Sequence, residues 1–430
     1  QLPDTTIRPI DQGGVVPSIN QALSDSRASW FAVIDPAVAI APFEFLNLVL
    51  ELQSAPDTCL SVYGDEFVED ENDISGAVLR PDFNLDMLLS HPSVMARHWF
   101  FRKEVLSLFG GFDDSINTAF EFDLILRILD QSGFGAFGHV AETIFLVNQG
   151  KYWVDADEER QVVLNHLSRR GYHAAAASPG RVAATYDIDY GHADTPSFSI
   201  IMIAKDCLSH LQTCVESILD KTEYSNYELL IFDNNSQAPE MKFWLDGLEG
   251  LGVSNIRVFR SEKTLERFGA VNRVSSEARG EYLVSLSADI GIIQKDWLSL
   301  LLNHAQRPEV GVVGAKLLMK SGQVESGSLV AGLNGVSGAT FVGSDANDAG
   351  YMNRLQVDQN CIFVSADCMV FEKELFVGLG GFDETLPDDL AEADFCLRAT
   401  QTGRLNVWTP RSLVMRVSTS GEGEGQSKQS

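Results

Sequence analysis

The chain has 430 residues, of which 45% are apolar, and a formal net charge of −28. This length exceeds one ordinary hydrophobic core, so two domains are predicted. The negative charge argues against a general nucleic-acid binder, which needs a basic surface, and no apolar run reaches the roughly 18–20 residues that span a bilayer. The six cysteines include no Cys-x-x-Cys pair and indicate thiols in a reducing compartment, which favours the cytoplasm.

The first half contains a glycine pattern that imitates a nucleotide-binding motif. Gly133–Gly138 spells G-x-G-x-x-G, which binds a dinucleotide only after a strand and at the start of a helix. Here the glycines follow a predicted helix at 123–129 and precede a strand-like run at 140–147. They therefore indicate a helix end and a loop, and a dehydrogenase is not predicted. A further helix is expected at 158–170.

The second half alternates between strand and helix patterns. Apolar runs of strand length occur at 197–203, 228–232, 256–259 and 282–286, and helical spacing occurs at 208–219 and 270–278. Such alternation predicts a mostly parallel sheet covered on both faces. The predicted division of the chain is a first domain over 1–178, a linker over 179–195, a second domain over 196–425 and a polar tail over 426–430.

Several segments occur twice, in the same order. Phe101–Asp113 and Phe371–Asp383 share the residues F-x-K-E and G-G-F-D, and the segments beginning at Glu121 and Glu392 follow them. Upstream, the segment from Asn20 matches the segment from Asn272. The spacing between copies changes along the chain, which predicts an insertion in the second copy, where a loop tolerates it.

Three carboxylates lie at or just beyond the ends of predicted strands in the second copy. Asp206 follows the first strand, Asp233 the second and Asp289 the fourth. Because parallel strands place their carboxyl ends at one edge of a sheet, the three can face one crevice. A single aspartate at such a position is more often a turn or helix cap, but three at one edge favour a binding site.

Short motifs in both halves of the chain match those of a known protein family. Asp233–Ser236 (DNNS), Gly314–Leu318 and Gly380–Glu384 occur in the order found in bacterial family 2 glycosyltransferases, and Tyr63–Glu66 and His166–Gly171 resemble stretches of the first domain of tandem members. The chain resembles the tandem-domain enzymes that build O-antigen and other surface polysaccharides. The resemblance implies an α/β protein with two tandem GT-A domains, Rossmann-like with mostly parallel sheets. The first would enter at Ile7–Asp11, without its N-terminal strands, and be inactive.

The same resemblance implies the chemistry. An inverting glycosyltransferase moves a sugar from a nucleoside-diphosphate donor to an acceptor hydroxyl, and the second domain would hold the active site. Glu392 falls at the position of the general base, and Asp367 and Asp394 fall on the acceptor side. Asp289 would hold Mg²⁺ or Mn²⁺. The implied nucleotide-binding residues are Ala204, Asp206, Asp233, Ser287 and Asp289.

The chain departs from the family pattern at several of these positions. The metal motif reads Ser287-Ala-Asp289, with one carboxylate where the family has two, and the first copy reads Asp35-Pro-Ala37. Glu392 stands where the family usually has an aspartate, and Asp367 is an addition. Arg416 falls where the family often has a histidine that can bind metal. It is interpreted either as a cation that neutralises phosphate or as a plain surface arginine.

Two functions follow. One is an active transferase whose partners are a nucleoside-diphosphate sugar and a glycan or lipid-linked acceptor, without nucleic acid, in the cytoplasm and in peripheral association with a membrane assembly. The other is a catalytically inactive GT-A tandem that serves as a glycan- or partner-binding scaffold. A sugar-nucleotide pyrophosphorylase is not predicted, because Ile203–Cys207, after the first strand, contains no glycine.

Overall fold

The computed structural model describes residues 15–70, 73–148, 155–333 and 335–418. The chain divides into two compact units, Gln1–Gly191 and His192–Ser430. The strand expected at Ile7–Asp11 and the polar tail over 426–430 lie outside the described residues. Within the described part, no helix has the length and apolar character needed to cross a bilayer.

The first unit is a set of helices around one sheet, with a separate hairpin at its end. Its helices are α1 (Val15–Asp25), α2 (Pro42–Ser54), α3 (Leu85–Ser90), α4 (Pro92–Met95), α5 (Val105–Phe109), α6 (Phe120–Ser132) and α7 (Ala156–Arg169). Its strands are β1 (Trp30–Ala32), β2 (Ala39–Ile40), β3 (Ser61–Asp70), β4 (Asp73–Val78), β5 (Phe100–Arg102), β6 (Phe137–Asn148), β7 (Ala176–Pro179) and β8 (Tyr186–Asp189).

The sheet of the first unit corrects one expectation. Its order is β1-β5-β3-β6-β2 with β4 beside β3, and β3–β6 is the one parallel pair among the described strands of this sheet. A mostly parallel sheet is therefore wrong for this unit. The chain passes from β3 to β4 through a connection too short for a crossover, and such neighbours pair antiparallel.

Two further features concern the sequence interpretation of this half. Gly133 follows the last residue of α6 with φ +70°, and a 3-10 turn at Phe134–Ala136 leads into β6. This confirms the helix-end interpretation of the glycine pattern. The interval predicted as a linker over 179–195 carries β8, which pairs with β7 in a hairpin, and Tyr186 and Ile188 within it are buried.

The second unit has one large sheet between helices. Its helices are α8 (Leu208–Lys221), α9 (Pro239–Gly250), α10 (Arg267–Ser275), α11 (Trp297–Ala305), α12 (Lys373–Gly378) and α13 (Asp388–Gln401). Its strands are β9 (Phe198–Ala204), β10 (Tyr227–Asp233), β11 (Ile256–Arg260), β12 (Tyr282–Leu286), β13 (Ile290–Ile292), β14 (Val310–Leu318), β15 (Val324–Ser326), β16 (Leu329–Ala331), β17 (Ser337–Ala339), β18 (Gln359–Asn360), β19 (Cys368–Glu372) and β20 (Leu405–Arg416).

The order of this sheet positions the candidate site. The order is β11-β10-β9-β12-β19-β14-β20-β13, and the first four strands are parallel. β19 runs antiparallel to β12, with Cys368 opposite Leu286. The start of β19 therefore lies at the edge where β9, β10 and β12 end. We call this edge the carboxyl rim.

Apolar side chains cover both faces of the sheet, as the unbroken apolar strands predicted. One buried cluster contains Ile200, Ile231 and Val284 together with side chains of α8 and α11. The other contains Ile201, Leu230 and Leu283, which alternate with the first set, together with side chains of α10 and α13. Burial of this area is the main favourable term in holding the rim in place.

A turn with the same hydrogen bonds is present in both units. Asn20 donates to the carbonyl of Phe112 at 2.8 Å and accepts from its N–H at 3.1 Å. Asn272 does the same with Phe382, at 2.9 Å in each direction. The glycine pair before each phenylalanine has φ between 75° and 80°, the left-handed region that glycine adopts without strain. The matched sequence segments therefore build matched local structures.

Candidate functional site at the carboxyl rim

Two of the predicted nucleotide-binding carboxylates shape the loop between β10 and α9. Oδ1 of Asp233, a buried residue, accepts from the N–H of Ser236 at 2.9 Å. Oδ1 of Asp206 accepts from the N–H groups of Gln237 and Ala238, at 2.9 Å each. One oxygen of each carboxylate therefore stabilises a turn or caps a helix. This is the common structural use of an aspartate that the sequence analysis set beside the role of a ligand.

Other rim residues also hold this loop in place. The carbonyl of Ala204 accepts from the N–H of Asn234 at 2.8 Å. The Asn234 side chain donates to the carbonyl of Leu265 and accepts from its N–H, at 2.8 Å each. This clamp ties the end of β10 to the segment before α10. Sequence reasoning did not single out Asn234, although it lies inside the quoted DNNS motif.

Asp289 lies between β12 and β13, and its carboxylate is fully engaged. Nη1 of Arg416 donates to both oxygens at 2.9 Å, and the hydroxyls of Ser287 and Ser418 donate to one oxygen each, also at 2.9 Å. Burial raises the pKa of Asp289, but Arg416 and the two hydroxyls outweigh it and hold that pKa below its usual range. The structure therefore joins Ser287 directly to Asp289, and their assignment to nucleotide binding stays a prediction.

Arg416, at the end of β20, contacts three carboxylates. Besides Asp289, its Nε donates to Glu325 at 2.6 Å and its Nη2 donates to Asp367 at 2.5 Å. Its side chain is 20% exposed. The surface-arginine interpretation is therefore wrong, because the guanidinium is enclosed by carboxylates from separate parts of the chain. We call Asp289, Glu325 and Asp367 the carboxylate ring.

A second arginine reaches the ring from α10. Nη2 of Arg267 donates to Asp367 and to the carbonyl of Ala366, at 3.0 Å each. Burial opposes ionisation of Asp367, yet Arg267 and Arg416 lower its pKa overall. Neither Arg267 nor Glu325 was predicted. Both lie outside the motifs quoted from the sequence, and Glu325 lies on β15, which pairs antiparallel with β14.

These residues do not fit a divalent cation held by Asp289. Mg²⁺ and Mn²⁺ need oxygen ligands with free lone pairs at about 2.0–2.2 Å, and a guanidinium occupies that side of Asp289. Within the described residues, no group of three or more His, Cys, Asp or Glu side chains is arranged to hold a metal ion. The positive charge beside Asp289, which the sequence analysis expected from Mg²⁺ or Mn²⁺, is that of Arg416.

Glu392, the predicted base, lies on α13 beside the same cluster. Its Oε2 accepts from the N–H of Ala366 at 2.7 Å. Burial raises its pKa to about 7, supported by Asp367 and Asp388 and opposed by the Ala366 N–H and Arg267. A carboxylate with a pKa near neutrality can accept a proton from a hydroxyl at physiological pH and is typical of general bases.

Asp394 has a different environment from the other predicted residues. Its carboxylate pairs with Arg398 one helical turn away, at 2.7 Å. Arg398 also donates to the carbonyls of Leu379 and Gly381, so the pair fastens α13 to the glycine turn. Asp394 therefore has a structural partner in Arg398, and its place on the acceptor side stays a prediction.

Comparison with known proteins relates part of the chain to one family. Residues 199–379 match the family model described as "Glycosyl transferase family 2". The chain thus resembles that family over somewhat less than half of its length. The matched residues contain most of the rim, including Asp206, Asp233 and Asp289, whereas Glu392 and Arg416 lie beyond them.

Two curated proteins resemble nearly the whole chain. An uncharacterised protein, y4gI, of Sinorhizobium fredii is 28% identical over 91% of this chain and 44% of its own length. The O-antigen biosynthesis protein RfbC of Myxococcus xanthus is 26% identical over 94% of this chain and 32% of its own length. The chain thus spans less than half the length of these two relatives.

Two solved structures resemble this chain in part. GalNAc-T7, in a crystal structure with UDP, GalNAc and Mn²⁺, has a TM-score of 0.46 and 15% identity, covering 55% of this chain and 46% of its own. The mannosyltransferase PcManGT of Pyrobaculum calidifontis, in complex with GDP-Man and Mn²⁺, has a TM-score of 0.40 and 14% identity, covering 61% of this chain and 66% of its own.

Proposed function

We propose that the second unit is an inverting glycosyltransferase that moves a sugar from a nucleoside-diphosphate donor to a hydroxyl of a glycan or lipid-linked acceptor in surface polysaccharide synthesis. One observation carries the proposal. Glu392, whose pKa is about 7, stands beside Asp367 at the rim where the strands of a family 2 domain end. The similarity to an O-antigen biosynthesis protein supports the polysaccharide context.

In this proposal the donor lies over the ends of β9, β10 and β12. Asp206 and Asp233 each use Oδ1 to build the loop, and Oδ2 of each is assigned to the base and ribose of the nucleotide. Ala204 and Ser287 line the same edge. The diphosphate faces the cluster around Asp289, where Arg416 and Arg267 supply positive charge.

The acceptor hydroxyl faces Glu392 and Asp367. Its oxygen attacks the anomeric carbon from the side opposite the diphosphate, the bond between that carbon and the diphosphate oxygen breaks, and the hydroxyl proton passes to Glu392. Configuration at the anomeric carbon inverts. The nucleoside diphosphate leaves with the bonding electrons, and the proton on Glu392 later returns to solvent.

A scaffold without catalysis is the second candidate, and a specific observation favours it. Asp206, Asp233 and Asp289 all have hydrogen-bond partners within the chain, so a structural role accounts for each without a nucleotide. A scaffold would bind a glycan or a partner protein and would release no nucleoside diphosphate. The two candidates therefore differ in donor binding and in the release of nucleoside diphosphate.

The first unit is proposed to be a degenerate copy that binds no nucleotide sugar. The turn built by Asn20 repeats the turn built by Asn272, whereas the described part of the first unit has β3–β6 as its single parallel pair. A cytoplasmic location with peripheral attachment to a membrane assembly belongs to the same proposal.

The test is calorimetric titration of the whole chain with UDP-, GDP- and dTDP-sugars, followed by measurement of nucleoside diphosphate release with a glycan acceptor. We expect saturable binding of one nucleotide class. Asp233→Asn should weaken that binding about 10-fold or more, because Asn keeps the Oδ1 acceptor for Ser236 but loses the charge. The matched control is Asp383→Asn, an exposed turn carboxylate that accepts from Thr385 in the same way. If no nucleotide sugar binds, the transferase proposal is contradicted and the scaffold is the remaining candidate.

A further inference from the structure

The guanidinium of Arg416 stands at the centre of the carboxylate ring. We infer that Arg416 is the resident cation of the rim: it takes the place of a divalent metal, so that donor binding needs no Mg²⁺ or Mn²⁺, and its removal turns the ring into a metal site. The part about the donor rests on the proposed function, whereas the part about the metal does not.

The ring is held together by this one side chain. Asp289 lies between β12 and β13, Glu325 lies on β15, and Asp367 precedes β19. Three separate segments of the chain therefore meet at Arg416. The distances are 2.9 Å to Asp289, 2.6 Å to Glu325 and 2.5 Å to Asp367. Three carboxylates this close repel one another unless a cation lies between them.

The arginine and a metal ion compete for the same position. An ion on Asp289 would lie about 2.1 Å from a carboxylate oxygen, on the side where Nη1 of Arg416 lies 2.9 Å from both oxygens. The two cations repel at that separation. Arginine stays charged at all physiological pH values. Burial alone would lower the pKa of Arg416, but the nearby carboxylates, Asp367 and Asp289 foremost, raise that pKa and stabilise the charged form.

Arg416 also has the geometry needed to act toward a phosphate. Its bonds to the ring use Nε once, Nη1 twice and Nη2 once. A guanidinium has five N–H groups, so a second N–H on Nη2 points away from Asp367. An oxygen of a donor diphosphate can accept it. Arg267 adds a second charge next to Asp367.

The metal arm of the test uses Mn²⁺ alone, titrated into the whole chain without nucleotide and followed by electron paramagnetic resonance. We expect wild type to bind Mn²⁺ no better than Arg260→Ala, a matched control whose arginine pairs with the carboxylates of Asp246 and Glu249 at the surface. Arg416→Ala should bind one Mn²⁺ at least about 10-fold more tightly than either, because the three carboxylates, no longer held apart by the guanidinium, can then close around a hard cation.

Arg416→Lys keeps one positive charge on a side chain of similar length and guards against misfolding of the alanine variant. We expect it to bind Mn²⁺ as weakly as wild type. Tight stoichiometric binding of Mn²⁺ by wild type would overturn the inference whether or not Arg416→Ala folds. Equally weak binding by folded wild type and folded Arg416→Ala would also overturn it.

The donor arm repeats the nucleotide-sugar titration in EDTA and in Mn²⁺. Wild type should bind equally well in both, and Arg416→Ala should lose at least about 10-fold in EDTA and recover in Mn²⁺. A wild type that binds its donor only with Mn²⁺ would overturn the inference while supporting the transferase. Absence of donor binding under all conditions would contradict the transferase alone, since the metal arm contains no nucleotide.

Discussion

Replacement of Glu392 by glutamine separates catalysis from folding at this site. Glutamine keeps the shape of the side chain and an oxygen that accepts from the N–H of Ala366, as Oε2 of Glu392 does at 2.7 Å. It removes the ability to take a proton. We expect turnover to fall by roughly 10²–10⁴-fold, the usual contribution of a general base, while the affinity for the donor nucleotide stays within about 2-fold.

The pH dependence gives the same prediction a second measurement. Burial raises the pKa of Glu392 from 4.5 to about 7. Because the base must be unprotonated to accept the hydroxyl proton, wild-type turnover should rise with pH through about 7 and then level off. Glu392→Gln should lose that step. Initial rates of nucleoside diphosphate release, measured between about pH 5.5 and 8.5 with saturating donor, would show it.

The first unit provides a matched control. Glu121 occupies the corresponding position and accepts from the N–H of Trp99 at 3.2 Å, so Glu121→Gln should leave turnover and its pH profile unchanged. Full turnover by Glu392→Gln on a verified acceptor would refute the assignment of Glu392 as the base. Asp367 and Asp394 would then be the remaining candidates on the acceptor side.

Three stability predictions follow from the two copies. Asn20→Ala and Asn272→Ala each remove both bonds to a phenylalanine backbone and should lower the free energy of unfolding by about 1–3 kcal/mol, measured in denaturant. Gly381→Ala should lower it by at least about 1 kcal/mol, because φ is +76° and the new Cβ would lie 2.6 Å from Oδ1 of Asn272. Burial raises the pKa of Glu121 from 4.5 to about 8, so the free energy of unfolding of wild type should fall as pH rises from about 4.5 through about 8. Glu121→Gln has no such group, so denaturant unfolding at both ends of that range should show a smaller fall.

The central strands of the second unit could be predicted from the sequence because each is a short, unbroken apolar run. The predicted strand at 282–286 coincides with β12, and those at 197–203 and 228–232 differ from β9 and β10 by one residue at each end. Parallel pairing then fixed the edge at which Asp206, Asp233 and Asp289 lie. Local pattern and topology were sufficient for this part.

The charged cluster could not be predicted in the same way. It depends on β19, which runs antiparallel to β12 and brings Asp367 to Ser287, whose N–H donates to the Asp367 carbonyl at 3.0 Å. It depends equally on β15, which pairs antiparallel with β14 and contributes Glu325. Long-range pairings of this kind leave no periodicity in the sequence, so the partners of Arg416 were visible only in the folded chain.

Glu121 and Glu392 share a structural role but differ in their charged neighbours. Both accept a backbone N–H near the strand that precedes the glycine turn, and burial raises the pKa of both, so this use of the side chain is structural and common to both units. Their charged neighbours differ. Arg80 and Arg97 act on Glu121, whereas Asp367 and Arg267 act on Glu392. A buried glutamate becomes a candidate base only in the second unit because Asp367 and Arg267 connect it to the ring around Arg416, where a diphosphate can be neutralised.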